Sequence, residues 1–143
     1  MKINTLKYLF FVLLILVSLT FFGCSKGSDP APTPPPPVPE ANIVFTINPD
    51  PGTTIYPALG ATQDIIISIS SKLPDAGVTA SISVTKDLDG SSVFSQSLTS
   101  TLSSFTSTIQ NLQSGVVCNA TITLVSKSTA TNTASKTFKL AKK

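Results

Sequence analysis

The segment VTASISVT, which runs from Val78 to Thr85, decides the fold class of this chain. Every second residue in it is apolar, and the residues between carry hydroxyl groups. The apolar residues are Val78, Ala80, Ile82 and Val84. Because successive side chains of a strand point to opposite faces, the pattern predicts an antiparallel strand with one face in the core and the other in water.

Similar alternation recurs on both sides of this segment. The predicted strands cover residues 43–47, 64–70, 78–85, 92–98, 103–109, 116–126 and 133–141. Turn-forming residues such as Asn48–Gly52 and Asp87–Gly90 separate them. About seven short strands in roughly 100 residues predict an all-β, antiparallel immunoglobulin-like β-sandwich over residues 42–143, with a small barrel as the alternative.

The last predicted strand contains a conflict. Lys136 has the same parity as Ala134 and Phe138, which are predicted to face the core. Lysine is almost never fully buried, so this position indicates a bulge or the edge of a sheet. Lysines along this segment would also discourage pairing between sheet edges.

The composition excludes one class of partner. The chain contains no arginine, and its formal net charge of +3 includes Lys2 and Lys7. The other lysines are scattered along the sequence, whereas a nucleic-acid-binding domain needs a basic patch or stripe. We therefore expect no nucleic-acid partner.

The amino-terminal segment KYLFFVLLILVSLTFFGC, from Lys7 to Cys24, has the pattern of an export signal. Lys2 and Lys7 precede an almost wholly apolar run, and Gly23 follows it. A basic start, an apolar run of roughly 7–15 residues and a small residue before the cleavage site are typical of secretory signal peptides. A membrane-spanning helix needs about 20 apolar residues. The sequence predicts a signal peptide over residues 1–23.

Cys24 is the predicted lipidation site. The pair Gly23–Cys24 resembles the cleavage site of bacterial lipoprotein signals, in which the cysteine thiol carries a diacylglycerol. Phe21 and Phe22 depart from the leucine and the small residue that are usual there. An uncleaved membrane anchor and a signal cut elsewhere are the alternatives. Because two or more acyl chains anchor a protein stably, the predicted partner of this end is a membrane.

Residues 24–41 are predicted to be the lipidated cysteine followed by a disordered, proline-rich tether. The stretch from Pro30 to Pro39 is dense in proline. Polyproline segments are extended, at about 3.1 Å per residue, so the tether would hold the domain on the order of 40 Å from the membrane. A proline-rich ligand for a recognition domain is the alternative interpretation.

The segment FTSTIQNLQSGVVCNATITLV, from Phe105 to Val125, resembles the later strands of a fibronectin type III domain. Leu112, Gly115 and the strand that begins near Cys118 match the leucine, the glycine turn and the next strand of that family. Cys118 stands where the family has a tyrosine, and the chain has no tryptophan. The resemblance implies a sandwich and no binding residues.

The whole arrangement is similar to small envelope lipoproteins of Bacteroidota: a lipid signal, a proline-rich tether and one sandwich domain. The resemblance implies a lipid-anchored protein of the cell envelope, in the outer membrane. Surface display in that group is often associated with acidic residues directly after the lipidated cysteine. Only Asp29 lies near Cys24 here, so the surface and periplasmic orientations both stay open.

The residues needed for common enzyme chemistry are sparse. The chain has no histidine, which removes the commonest general base and the commonest transition-metal ligand. Serine and threonine need an activating base to act as nucleophiles, and none has an evident partner. Cys118 shares the parity of Ala120 and Ile122 and is predicted to be buried as a small apolar residue. We expect no enzymatic activity, no cofactor and no metal.

Two further features raise ligand hypotheses. Asp87-Leu88-Asp89-Gly90 is similar to the start of a calcium loop, but residues 42–143 contain no glutamate to complete one. A hairpin turn is therefore the preferred interpretation. Tyr56, in a predicted irregular loop, is the candidate ligand contact, because glycan sites use exposed aromatic rings.

The sequence thus predicts a lipid-anchored envelope protein with a non-catalytic immunoglobulin-like domain. Its expected role is structural, adhesive or in protein interaction, with a partner that the sequence does not identify. The alternative is an accessory glycan-binding lipoprotein of a polysaccharide-uptake system.

Overall fold

The computed structural model describes residues 38–50, 52 and 54–143. The described residues form eight strands, which are β1 (Phe45–Asn48), β2 (Tyr56–Ala58), β3 (Gln63–Ile69), β4 (Val78–Lys86), β5 (Ser92–Ser100), β6 (Ser104–Ile109), β7 (Val117–Ser126) and β8 (Thr133–Lys142). The predicted signal peptide, Cys24 and most of the predicted tether lie outside the described residues.

The strands make two sheets. One sheet has three strands in the order β1-β3-β6, and the other has five in the order β2-β8-β7-β4-β5. The pairs are antiparallel except for β2 with β8, which is parallel. The all-β sandwich that the alternation predicts is confirmed. The described strands form two separate sheets and not the small barrel that was the alternative.

One strand lies where the sequence predicts a loop. Pro57 and Gly60 favour an irregular connection, but Tyr56, Pro57 and Ala58 pair with the last residues of β8. Pro57 is tolerated because β2 is an edge strand, and the side of an edge strand that has no neighbouring strand needs no N–H donor. The prediction that Tyr56 lies in an irregular loop is therefore wrong, and the described residues form eight strands rather than about seven.

The inner faces of the two sheets supply the core. In β4 and β7 the predicted apolar positions are all buried. The largest fully buried side chains are Ile65, Ile67, Val78, Val84, Ile82, Ile109, Cys118, Ile122, Leu124 and Leu140. Burial of each isoleucine or leucine side chain stabilises the fold by about 1.5–3 kcal/mol.

Lys136 lies on the inward parity of β8 without being buried. The pairing of β2 with β8 covers only Leu140–Lys142, so Lys136 stands on an open part of the sheet edge. The edge position predicted from the sequence is confirmed. The Lys136 ammonium lies 5.8 Å from the centre of the Phe45 ring, which joins the open edges of the two sheets by a cation–π contact.

Gly77 is required by its backbone conformation and by its surroundings. Its φ is +79°, and a Cβ atom there would lie 2.3 Å from the carbonyl oxygen of Ser100. Only glycine combines this φ with so close an approach. Gly77 therefore brings the start of β4 directly against the end of β5.

The strand register defines two ends of the sandwich. Val78 pairs with both Ser100 and Ser126 at one end, and Lys86 pairs with Cys118 at the other. The first end, called the entry end because the chain enters β1 there, contains residues 38–44, 70–77, 101–103 and 127–132. The opposite end, called the far end, contains residues 59–62, 87–91, 110–116 and 143.

Candidate functional site

A buried asparagine fastens the amino-terminal segment to the entry end. Asn132 lies in the loop between β7 and β8 and is 8% exposed. Its Oδ1 accepts a hydrogen bond of 2.9 Å from the backbone N–H of Ile43. Its Nδ2 donates to the carbonyl oxygen of Ala41 at 2.9 Å and to the carboxylate of Glu40. These four residues form what we call the N-terminal latch.

The Glu40 carboxylate accepts hydrogen bonds from the last residue of β7 and from the β7–β8 loop. The Ser126 hydroxyl accepts the backbone N–H groups of Ser128 and Thr129 at 3.0 Å and 3.1 Å, which leaves its own hydrogen to donate. Hydrogen bonding from Ser126 is the main cause that holds the pKa of Glu40 below its usual value. Partial desolvation opposes this, and the bonds from Asn132 and Thr129 lower the pKa further. The charged form of Glu40 therefore stabilises the hydrogen bonds of the latch.

An open cleft of about 540 Å³ borders the latch. It lies between the entering segment and the loops that follow β3 and β7, with Leu73 and Pro74 as apolar wall and Glu40 and Thr129 as polar wall. The described lining residues include no histidine or cysteine. The cleft offers both apolar and hydrogen-bonding contacts.

Several hydroxyl groups on the outer faces of the sheets bond to one another across the strands. Thr121 and Thr137 lie 3.0 Å apart across β7 and β8, as do Thr123 and Ser135. Such cross-strand pairs stabilise a sheet. One outer-face hydroxyl instead has a carboxylate partner, since Thr108 Oγ1 donates to Asp64 Oδ1 at 2.6 Å. Across the described residues, no group of three or more histidine, cysteine or acidic side chains could hold a metal ion.

Asp87 and Asp89 belong to the hairpin turn that joins β4 and β5. The two carboxylate oxygens of Asp87 accept bonds from Lys139 Nζ at 2.8 Å and from Asn119 Nδ2 at 2.7 Å. Asp89 Oδ1 accepts the backbone N–H of Ser91 at 2.9 Å. The pKa of each carboxyl group is lowered, chiefly by hydrogen bonding from Lys139 for Asp87 and from Ser91 for Asp89. Both carboxylates thus serve the turn and the neighbouring sheet.

Tyr56, the sequence-predicted ligand contact, opens β2 and is half-buried. Its ring packs against the core, beside Leu140 of β8. Only part of the ring is available to a ligand. Among the described residues, Tyr56 is the only tyrosine and there is no tryptophan, so no second ring of these types lies beside it.

Cys118 lies on the inner face of β7, and its predicted burial is confirmed at 1% exposure. The thiol is free. Burial raises the pKa of the Cys118 thiol, and the positive charge of Lys86 opposes this effect more weakly. A buried thiol with a raised pKa is a weak nucleophile, because the thiolate is the reactive form.

The far end carries two strongly exposed leucines. Leu59 follows β2 and is 87% exposed, and Leu88 lies at the tip of the β4–β5 turn and is 96% exposed. The entry end carries Leu102, at 64% exposure, in the β5–β6 turn. Solvent-exposed leucines on turns are candidate contact residues, because burying their apolar surface against a partner gives favourable binding free energy.

The sequence interpretation missed most of these groups. Asn132 and Glu40 fall outside every alternating segment, so no periodic signal marks them. Leu88 lies between two aspartates in a turn, and that context does predict an exposed apolar side chain. Leu59 has a similar signal, since it lies between two turn-forming residues, Pro57 and Gly60.

Comparison with known proteins does not assign a family. No protein-family model matches the chain, and no curated protein matches it significantly. In the part of the chain that the structure describes, no helix is long and apolar enough to cross a membrane. The predicted lipidation site, Cys24, lies outside that part.

Proposed function

We propose that this chain is a lipid-anchored, non-enzymatic protein of the cell envelope, held in the outer membrane. Its sandwich domain acts in a structural or adhesive role by binding another protein. The signal-like segment from Lys7 to Cys24 and the proline-rich tether support the anchoring. The strong exposure of Leu59 and Leu88 on turns supports a binding role.

The separation of the entry end from the far end is the observation that carries the proposal. The chain enters the domain at the N-terminal latch, and the loops with Leu59 and Leu88 lie at the opposite end. β4 has nine residues, and at about 3.3 Å per residue it spans roughly 30 Å between the ends. The far-end leucines therefore lie at the end of the domain opposite to the point where the chain enters it.

The anchor is tested by metabolic labelling with a palmitate analogue in the native host. We expect the unmodified chain and a Cys118→Ala chain to take up label, because Cys118 is buried. A Cys24→Ala chain should not take up label. Label retained by the Cys24→Ala chain would rule out lipidation at that residue.

The contact surface is tested by site-specific photocrosslinking. A photoreactive residue at Leu88 or Leu59 should give a discrete protein adduct in intact envelopes. The same residue at Leu102 is the matched control, because Leu102 is also exposed on a turn but lies at the entry end. Equal adducts from Leu88 and Leu102, or none from the far end, would contradict the proposal.

Glycan capture receives less support, because the Tyr56 ring is partly packed against the core. A glycan array separates the two functions. Specific binding that survives Tyr56→Phe and is lost in Tyr56→Ala would move the assignment to glycan capture. Absence of such binding agrees with a protein partner.

A further inference from the structure

We infer that β5 is a self-pairing edge, through which two copies of this chain form an antiparallel dimer centred on Gln96. Within the described residues, β5 pairs on one side with β4 and has no strand on its other side. An unpaired strand edge presents a row of backbone donors and acceptors that can accept another strand. The inference is separate from the proposed contact at the far end.

β5 lacks the devices that protect the other open edge of its sheet. Its sequence, SVFSQSLTS, contains no charged residue and no proline over nine residues. On the opposite edge, β2 has three residues and contains Pro57, and the uncovered part of β8 carries Lys136 and Lys139. Charges, prolines, short strands and β-bulges are the usual means of blocking edge pairing, and of these β5 has only the irregularity at Val93, near its start. β5 is also longer than β1 and β6, the edges of the three-stranded sheet.

The sequence around Gln96 is complementary to itself when two copies run antiparallel. With Gln96 opposite Gln96, Phe94 of one copy lies opposite Leu98 of the other, and Ser95 lies opposite Ser97. Phe94 and Leu98 are both half-buried at the margin of the core, so a second copy would cover their remaining surface. Apolar side chains then meet on the inner face, and hydroxyls meet on the outer face.

Other registers match less well. The pairing of β4 with β5 is regular from Phe94 to Ser100, and its register shifts between Val84 and Thr85, where Val93 has no partner. A dimer centred on Ser97 would set Phe94 opposite Ser100 and Gln96 opposite Leu98. Those pairs bring apolar and polar side chains together, which gives little favourable contact.

Gln96 itself has free hydrogen-bonding capacity at the proposed centre. Its Oε1 accepts a hydrogen bond from the hydroxyl of Ser107 at 2.5 Å, which joins the two sheets at this edge. A glutamine side chain has two N–H donors in addition to its oxygen. In the dimer, the donors of one Gln96 can bond to the oxygen of the other.

The paired surface is small, so the dimer is weak. It uses fewer than the about 20–30 residues on each side that are typical of stable protein interfaces. Antiparallel pairing also sets the entry end of one copy beside the far end of the other, so their N-terminal segments leave in opposite directions.

Disulfide trapping of the full chain in detergent tests this arrangement. Chains with Ser95→Cys and with Ser97→Cys are oxidised alone and as a mixture at high protein concentration. We expect the mixture to give a disulfide-linked heterodimer at several-fold higher yield than either chain alone. Directly opposite residues lie within disulfide range, whereas diagonal neighbours lie about 7–8 Å apart.

A Ser81→Cys chain is the matched control. Ser81 is exposed on the same outer face, one strand inside the edge, and the control chain carries the same native cysteines. All three substitutions lie on the exposed face, and circular dichroism verifies that each chain keeps its fold. Equal cross-linking by Ser81→Cys, or none in the mixture, overturns the dimer. If the Ser97→Cys chain alone cross-links faster than the mixture, the dimer is not centred on Gln96.

Discussion

The side chain of Asn132 accepts a hydrogen bond of 2.9 Å from the backbone N–H of Ile43, although the two residues are 89 positions apart in the sequence. The bond joins the first residue of the core to the last loop of the domain. The same amide also holds Ala41 and Glu40. One buried side chain therefore fixes the residues that lead into β1.

Replacement of this asparagine is expected to destabilise the domain. Asn132→Ala removes three hydrogen bonds and leaves backbone groups of Ile43 and Ala41 without their partner, so we expect a loss of about 1–3 kcal/mol in the free energy of unfolding. Asn119→Ala is the matched control, because Asn119 bonds to Asp87 on the outer face of the sheet. The control should lose about 0.5 kcal/mol or less. Urea unfolding measures both, and equal losses would contradict the role of the latch.

Acid is expected to weaken the same latch. The pKa of Glu40 is lowered from its ordinary value of 4.5 in the folded protein. The contribution of a carboxylate with a lowered pKa is complete above its ordinary pKa and is lost as the pH falls through the lowered value.

The pH dependence can be assigned to Glu40 by comparison with Glu40→Gln. We expect the stability difference between the two chains to shrink as the pH falls from about 6 to about 3. The substituted chain should keep some acid sensitivity, because the pKa values of Asp87 and Asp89 are lowered as well. Urea midpoints across the pH range give the measurement. A difference that stays constant with pH would show that the Glu40 charge contributes nothing.

A side chain at Gly77 is expected to disrupt the β4–β5 corner. Gly77→Ala sets a Cβ atom 2.3 Å from the carbonyl oxygen of Ser100 and also forces alanine into a positive φ. Gly90 has a similar φ of +71° and nothing within 4 Å of the added atom. Gly90→Ala should therefore lose about 1–2 kcal/mol from the conformation alone.

Gly77→Ala should lose more free energy of unfolding than Gly90→Ala, and the difference measures the effect of the close contact with the Ser100 carbonyl oxygen. We expect Gly77→Ala to lose at least about 1 kcal/mol more, because the Ser100 carbonyl belongs to the backbone and must shift. Thermal and urea unfolding report both values. Equal losses would mean that the corner relaxes freely.

The thiol of Cys118 is expected to react slowly in the folded protein. Its burial and raised pKa keep the reactive thiolate scarce and inaccessible. A maleimide should modify Cys118 at least about tenfold more slowly than the exposed cysteine of a Ser81→Cys chain, and urea should abolish the difference. Mass spectrometry after timed quenching separates the two sites. Rapid native modification of Cys118 would disprove its burial.

The predictable part of the fold follows from strict alternation. β4 and β7 lie inside the five-stranded sheet and bury one complete face, so burial imposes a period of two on their sequences. Edge strands obey this rule less strictly. β2 has three residues, and its pairing depends on the end of β8 rather than on its own pattern.

The candidate site was harder to predict because its residues act through contacts distant in sequence. Glu40 meets Asn132 across 92 positions, and neither residue belongs to a periodic segment. Lys136 is an intermediate case. Its parity conflicts with its charge and thus indicates an edge, but only the structure supplies its contact with the Phe45 ring.

The entry of the chain beside β1 also determines how tension would pass through the domain. β1 runs from the entry end toward the far end, antiparallel to β3. A pull on the amino-terminal segment against a fixed far end acts along the length of β1, while the hydrogen bonds to β3 lie across it. Those bonds are sheared together instead of being peeled apart one at a time, so the attachment point suits a domain that resists mechanical load.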